Sequence, residues 1–390
     1  MAYLIPKRGS AMPLDRPIFE SEHRLFRETC RRFIEKEVTP FHAQWEKDGQ
    51  VPRAVWLKAG EAGLLLPTTS DVYGGSGGDF RFGAVLTEEV GYSSASGLGI
   101  PLHNDIIAPY IENYGSEEVK HRWLPRMARG ESIGAICMTE PGTGSDLQGI
   151  MTTAKKDGDD YVINGQKTFI TNGQNADILI VIAKTDPSKG AKGTSLILVE
   201  GDREGFKRGR NLDKIGLKAQ DTSELFFEDV RVPQGNLLGE ENQGFRYLME
   251  QLPRERLLSA LRAIATVEAA LEWTVTYTKE RQAFGQAIFD FQNTKFKLAE
   301  VRANAVVGRA FIDRCIQMQV DGTLDLETAA IAKLWASEVQ SKAVDECLQL
   351  FGGYGYMWEY PIARLYADAR INRIYAGSSE VMKLIISRHL

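Results

Sequence analysis

The sequence predicts a mainly α-helical protein with a central β domain, arranged as three consecutive parts. These are an N-terminal helical domain over 1–132, a small β-barrel or sandwich over 133–240 and a C-terminal four-helix bundle over 241–390. Three observations predict it. Apolar residues recur at helical spacing through the first third. A block of short β-branched runs broken by Gly, Pro and Asp follows. Three long helical patterns with short joins then complete the chain. At 390 residues the chain exceeds one ordinary core, which agrees with several domains.

In "SEHRLFRETCRRFIEKEV", Ser21 is the candidate N-cap, and Leu25, Phe26, Cys30, Phe33, Ile34 and Val38 recur on one helical face until Pro40 stops the run. "RAVWLKAGEAGLL" repeats the pattern and ends at Gly63, and "DFRFGAVLTEEVGY" gives another amphipathic helix. The glycine-rich "YGGSGGDF" between them has no strand before it and no GK[ST] after it, so it reads as a connector rather than a phosphate cradle. From Ile133, "YVINGQKTFITNG" alternates, and Asn164-Gly165 reads as a hairpin turn. "ADILIVIAKT", "TSLILVE" and "SELFFEDVRVP" add strands of an antiparallel barrel or sandwich. From Gly244 the helical pattern returns, with Pro253 expected to start, bend or break a helix. Leu257, Leu258, Leu261, Ile264, Ala265 and Glu268 mark its successive turns. "TKFKLAEVRANAVVGRAFIDRCIQM", "DLETAAIAKLWASEVQSKAVDECLQLFGG" and the final "SEVMKLIISRHL" supply the other bundle helices.

Bulk properties narrow the function. The net charge is −5 and no long basic face appears, which argues against nucleic acid; "KRGR" at Lys207 to Arg210 reads as a solvated loop. Cys30, Cys137, Cys315 and Cys347 form no CxxC and no zinc spacing, and the histidines are scattered without HExxH, so no metal site is expected. The thiols read as reduced core residues of a cytosol-like compartment. "MAYLIPKRGSAMPLDRP" lacks the apolar centre of a secretory leader and the arginines of a transit peptide, and no apolar run is long enough to span a bilayer.

Five blocks carry chemistry: "MTEPGTGSD" (Met138 to Asp146), "FITNG" (Phe169 to Gly173), "RQAFG" (Arg281 to Gly285), "QLFGGYGY" (Gln349 to Tyr356) and "IYAGSSE" before Val381. The first offers the Thr139 and Ser145 hydroxyls on a backbone able to approach a flat ligand. Taken singly, each has a plainer reading: Arg281 as a helix C-cap, Gly352-Gly353 as a helix stop. Together, in this order, they resemble the acyl-CoA dehydrogenase flavoproteins from about Ile18 to Leu390, nearest to the long-chain type. The resemblance implies that family's three-domain fold with a β-barrel, and FAD as cofactor. It also implies α,β-dehydrogenation of an acyl-CoA to a trans-2-enoyl-CoA in fatty acid β-oxidation, with electrons passed to an electron-transfer flavoprotein. A homotetramer with FAD sites shared between subunits is implied as well, in the cytoplasm of a bacterium or the mitochondrial matrix of a eukaryote.

The resemblance also assigns residues. Ile136, Cys137, Met138, Thr139, Gly144 and Ser145 would line the isoalloxazine and the acyl-CoA entrance. Phe169, Ile170 and Thr171 would cover the flavin's other edge, Phe169 keeping a stacking surface where many relatives have Trp. Arg281, Gln292, Gln349, Leu350, Phe351, Gly352 and Gly353 would bind the rest of FAD, Arg281 as a fixed-charge fork for pyrophosphate. Ser378, Ser379 and Glu380 would lie beside the cofactor. Ser145, Arg246, Pro253, Arg254, Arg256, Ala376 and Gly377 would meet the substrate, with Arg254 and Arg256 suited either to CoA phosphates or to structural ion pairs.

The base needs a separate argument. Short- and medium-chain members carry Glu where this chain has Ala376, and alanine accepts no proton. Long-chain members take the carboxylate from a bundle helix, and "QLPRERLLSA" matches that version, which points to Glu255. Its helical neighbours Ser259 and Arg262 lie off the apolar stripe, so Glu255 need not be buried in the bundle core. The plainer reading of "RER" is a solvated charge cluster. The Ala376 amide would still polarise the thioester. "SASGLGIPLHND" departs from the long-chain pattern at Leu98, which leaves branched and medium acyl chains open. An inactive acyl-CoA- and FAD-binding homologue, or an oxidase of a non-CoA substrate on the same fold, are the alternatives.

Overall fold

The computed structural model describes residues 14–390. The reading of the leading segment as neither secretory leader nor transit peptide therefore falls mostly outside the described residues. The N-terminal part holds α1 (Ser21–Phe33), α2 (His42–Asp48), α3 (Arg53–Glu61), α4 (Phe80–Tyr92), α5 (Ile100–Leu102), α6 (Ala108–Tyr114) and α7 (Glu117–Ala128). Glu20, not Ser21, caps α1, through a reciprocal pair of bonds with His23. Two helix joins are π-helical turns, Ile34–Val38 and His103–Ile107. The second leads directly into α6.

The β domain contains β1 (Gly134–Cys137), β2 (Thr153–Asp157), β3 (Asp160–Thr171), β4 (Ile178–Lys184), β5 (Thr194–Glu200), β6 (Phe206–Asn211), β7 (Thr222–Pro233) and β8 (Leu237–Leu238). Their order is β6-β7-β3-β2-β4-β5-β8, with β1 beside β4. The sheet is mixed rather than wholly antiparallel, because β1 runs parallel to β4 and β2 meets β4 in parallel at Thr153–Lys184. β4 is covered on both sides: Ile178, Ile180 and Ile182 pack on the helical core, while Leu179, Val181 and Ala183 pack inside the β domain. That explains its unbroken apolar run. Asn164-Gly165 is not a hairpin turn. The tight turn falls at Gly158 (φ +62°), and Asn164-Gly165 forms a bulge within β3. There the Asn164 amide bonds the Asp229 backbone and carboxylate on β7. A Cβ at Gly165 would lie 2.4 Å from Thr152 Oγ1.

The bundle consists of α8 (Gly244–Glu280), α9 (Gln292–Val320), α10 (Leu326–Phe351), α11 (Pro361–Ala369) and α12 (Ser379–Ser387). Pro253 neither starts nor ends α8, which runs through it. No helix among the described residues is long and apolar enough to cross a membrane, and no cluster of metal-ligating side chains occurs among them.

His103 ties these parts together. It is fully buried, its Nδ1 accepts from the Gly134 amide of β1 at 3.2 Å, and Nε2–H then donates to Met127 O at 3.3 Å. Burial pushes its pKa down to about 4. The unfolded chain therefore binds a proton that the native state refuses between pH 6.5 and 4, and stability falls as pH drops through that window. At pH 5 this removes about 2 kcal/mol relative to pH 7. In His103→Asn, the urea midpoint should accordingly fall less between pH 7 and pH 5 than in the wild type.

Candidate active site

A continuous set of bonds gathers the site. The π-helical turn begins at His103, bound to β1, and carries Asp105, which is fully buried against α8. Arg254 Nη2 donates to Asp105 Oδ1 at 2.8 Å and to Thr68 Oγ1 at 3.1 Å. The next residue on α8, Glu255, accepts from the Tyr110 hydroxyl of α6 at 3.0 Å. One turn later, Ser259 Oγ donates to Asn372 Oδ1 at 3.2 Å, and Asn372 donates to Gln340 of α10 at 2.7 Å. Asn372 immediately precedes the loop that carries Ala376. Hydrogen bonds thus join α6, α8, α10 and the segment that leads to Ala376.

Glu255 is buried. The π-helical turn His103–Ile107 packs on α8, and Tyr110 of α6 reaches Glu255, neither of which the α8 sequence reveals. Burial pushes the Glu255 carboxyl up to about 7, while the Tyr110 bond and the Arg256 and Arg254 charges pull the other way. A carboxylate with a pKa near 7 suits proton abstraction at neutral pH. Arg254 and Arg256 face inward. Arg254 is paired with Asp105, and Arg256 is 4% exposed and makes no ion pair among the described residues. Arg246 remains at the open end of α8, exposed and paired with Glu250 at 3.1 Å, and Pro253 is half-buried.

Ala376 sits at φ +52° and Gly377 at φ +93°. The positive φ at Gly377 favours glycine, and a Cβ there would also displace the end of the Met382 side chain, 2.5 Å away. The Gly377 carbonyl accepts from Lys333 Nζ at 2.6 Å, a lysine with no exposed surface whose pKa burial and Arg256 push down to about 8. The Ala376 amide donates to no group among the described residues, which leaves it available to a thioester oxygen. Ala376→Gly keeps that amide. It relieves roughly 1–2 kcal/mol of left-handed strain, which glycine's larger unfolded entropy largely offsets. Substrate-dependent flavin bleaching in this variant should stay within a few-fold of wild type, measured anaerobically. Ser378 caps α12 and Ser379 bonds Glu338, while Glu380 is exposed in the first turn, its carboxyl held low by a backbone amide and by Ser378.

The "MTEPGTGSD" loop leaves β1 at the domain junction. Strand alternation turns Ile136 and Met138 toward the helical side and Cys137 into the β-domain core, where burial pushes its thiol up to about 12. Cys137 can therefore offer a cofactor only its backbone, and the same holds for Ile170, which is also buried. Thr139 is half-buried, its carbonyl accepting from the Thr168 amide at 2.9 Å, while Gly144 and Ser145 are exposed. A bulge between Lys167 and Ile170 throws Phe169 out of the sheet at φ +59°, with two-thirds of it exposed. Bulges re-aim side chains at sites, and a strained aromatic held out at such a place points to a ligand. Thr171 follows it, half-buried.

A second group lies at the far end of the bundle. Arg281 caps α8, Gln292 starts α9, and Gln349, Leu350, Gly352 and Gly353 end α10. Arg281 is exposed beside the Tyr354 ring at 5.8 Å, and no atom approaches within 4 Å of where a Cβ would stand on Gly352 or Gly353. An exposed guanidinium, two amide side chains and an open Gly-Gly backbone fit a dinucleotide pyrophosphate. Phe351 does not join them. It is buried, stacked on Tyr277 at 4.1 Å, and its carbonyl accepts from the Tyr277 hydroxyl. Along α8, Arg281 lies about 39 Å beyond Glu255, at 1.5 Å per residue.

Sequence reasoning missed four groups that build the site: Tyr110, Asp105, Lys333 and Lys167. Lys167 is buried on β3, with its Nζ bound to Glu140 Oε1 at 2.8 Å, Ile182 O at 2.7 Å and Met138 O at 3.2 Å. Glu140 in turn accepts from the Met151 and Thr152 amides. A lysine on the apolar side of a strand was the available signal for Lys167. The others look like ordinary helix residues until their partners are seen.

Comparison with known proteins agrees with this arrangement. Models of the acyl-CoA dehydrogenase N-terminal, middle and C-terminal domains match residues 20–131, 135–230 and 242–390. The chain is 52% identical over 377 residues to the mitochondrial long-chain specific acyl-CoA dehydrogenase of Sus scrofa, covering 96% of this chain and 88% of that one. It is 37% identical to the mitochondrial short-chain specific acyl-CoA dehydrogenase of Rattus norvegicus, covering 94% and 90%. The crystal structure of an acyl-CoA dehydrogenase from Geobacillus kaustophilus superposes with a TM-score of 0.94 at 49% identity, over 96% of this chain and 99% of that one. With its three parts in this order, each matched by a domain model of that family, the chain belongs to the acyl-CoA dehydrogenase family of FAD-dependent oxidoreductases.

Proposed function

We propose that the protein dehydrogenates a long-chain or branched acyl-CoA to its trans-2-enoyl-CoA, with Glu255 as the base and an electron-transfer flavoprotein as acceptor. The observation that carries this reading is the buried, Tyr110-bound carboxylate of Glu255 at a junction where the loop residue Ala376 supplies no acid. Bound FAD supplies the two-electron acceptor for the hydride that leaves the β-carbon. Thr139, Phe169 and Thr171 would hold its flavin end, with Ser145 at the acyl-CoA entrance. The Ala376 amide would stabilise the enolate-like oxygen, and Lys333 fixes that loop through Gly377. The long-chain assignment is supported by the greater identity to a long-chain specific relative than to a short-chain one.

The distance along α8 between Glu255 and the Arg281 group supports a homotetramer with shared sites. The Arg281, Gln292, Gln349 and Gly352-Gly353 group would hold the dinucleotide end of a neighbouring subunit's FAD. Sedimentation of the holoenzyme tests this. The setting would be the cytoplasm of a bacterium or the mitochondrial matrix of a eukaryote, in β-oxidation, as the relatives' bacterial and mitochondrial origins support. The alanine at 376 also motivates a second reading, an inactive homologue that only binds FAD and acyl-CoA. Anaerobic titration with acyl-CoAs of graded length and branching separates the two. Bleaching by any of them removes the inactive reading, and silence across the panel removes the dehydrogenase. An oxygen electrode run in parallel, with and without CoA esters, tests oxidase activity.

A further inference from the structure

We propose that Tyr110 is the positioning residue of the base: its hydroxyl occupies Oε1 of Glu255, which leaves Oε2 to take the substrate's α-proton. This rests on the reading of Glu255 as that base.

Tyr110 has no exposed surface, and its hydroxyl meets Glu255 Oε1 at 3.0 Å. An ionised carboxylate only accepts, so the phenol must be the donor. The π-helical turn that precedes α6 aims two side chains of one helix at two adjacent residues of α8: Asp105 takes Arg254, and Tyr110 takes Glu255. The Arg254 pair fixes α8 about its axis at this point, so the carboxylate arrives at the phenol already oriented. Such π turns collect at functional sites.

The other charged groups here do not replace Tyr110. Arg254 is committed to Asp105. Arg256 lies on the same helix, makes no hydrogen bond to Glu255 among the described residues, and is next to Lys333 of α10, which donates to Gly377 O. From α6, Tyr110 is the titratable group that reaches the carboxylate; Tyr114, a turn further on, bonds Glu250 and Gln251 instead. Tyr110 is therefore the sole hydrogen-bond donor to Glu255 among the described residues.

In the step itself, the α C–H bond breaks and its proton passes to Oε2, giving the neutral acid. The electron pair left on the substrate would form the new double bond, and bound FAD would supply the acceptor for the β-hydride. A donor on Oε1 favours the charged, proton-accepting form against a site whose dryness opposes it. Losing the donor should raise the pH at which the base works.

The test is the pH profile of anaerobic flavin bleaching by palmitoyl-CoA in the holoenzyme, from pH 5.5 to 9. Tyr110→Phe should move the half-maximal pH alkaline by about one unit or more. Its FAD content and its affinity for the enoyl-CoA product should stay as in wild type. Tyr114→Phe should leave the profile in place. A fluorinated tyrosine at position 110, a stronger donor of nearly the same shape, should move the profile toward acid, and it reads the same bond if the phenylalanine variant folds poorly. An unmoved profile in either Tyr110 protein overturns the proposal. Glu255→Gln separates this failure from that of the underlying reading: normal bleaching in Glu255→Gln removes the base itself, whereas a silent Glu255→Gln beside an unmoved Tyr110 profile removes only the role of Tyr110.

Discussion

Glu255→Gln is expected to bind FAD and acyl-CoA normally and to lose flavin bleaching by substrate, by about 10²–10⁴-fold in rate. The replacement is nearly isosteric. Its carboxamide oxygen can still accept from the Tyr110 hydroxyl, and the Arg254–Asp105 pair that seats this turn of α8 is untouched. What disappears is the proton acceptor. Ala376 cannot substitute, and Glu380 lies in the solvated first turn of α12, where it serves the helix end. A residual rate is expected from the Ala376 amide and from substrate orientation, neither of which needs the carboxylate. In wild type the rate should rise with pH as Glu255 ionises, through about pH 7 for the free enzyme, and this limb should vanish in Glu255→Gln. Bleaching at the wild-type rate in Glu255→Gln would move the base elsewhere.

The proposed base was singled out because two local facts had to be reconciled: an alanine in "IYAGSSE" and an acid in "LPRER". Its surroundings were not. Tyr110 is 145 residues from Glu255, in a short apolar helix whose tyrosine looks like ordinary core. Local periodicity says that such a residue is buried and nothing about what it touches. Of the three outcomes open to Pro253, starting and breaking a helix are removed, because α8 continues through it.

Matched blocks likewise located segments better than side chains. Cys137, Ile170 and Phe351 lie in the matched segments, but strand alternation or helix packing turns each of them into a core. Phe169 escapes this because the bulge breaks the alternation at that residue. The hairpin misreading at Asn164-Gly165 has a related cause: the same freedom of glycine serves a bulge, and only the approach of Thr152 and Asp229 decides which.

Lys167→Met carries the other large effect, on stability and on cofactor retention together. It leaves the buried Glu140 carboxylate without its cation and the Met138 and Ile182 carbonyls without their donor. Breaking one side of a buried pair costs about 3–5 kcal/mol. The exposed Lys156–Glu241 pair on the same domain is the contrast, and Lys156→Met should stay within about 0.5 kcal/mol of wild type. Because Met138 and Thr139 begin the loop expected to hold the flavin, Lys167→Met should also lose FAD on gel filtration, while Lys156→Met retains it. The pH dependence identifies the cause. In wild type, Lys167 keeps the Glu140 carboxyl below its ordinary range against the opposing effect of burial. Without Lys167, burial prevails and the native state takes up a proton more readily than the unfolded chain, so the variant recovers stability as pH falls toward 4.5. The gap between variant and wild type, read as urea midpoints at pH 7.5 and 5.5, should therefore narrow in acid. A simple packing defect would leave it constant.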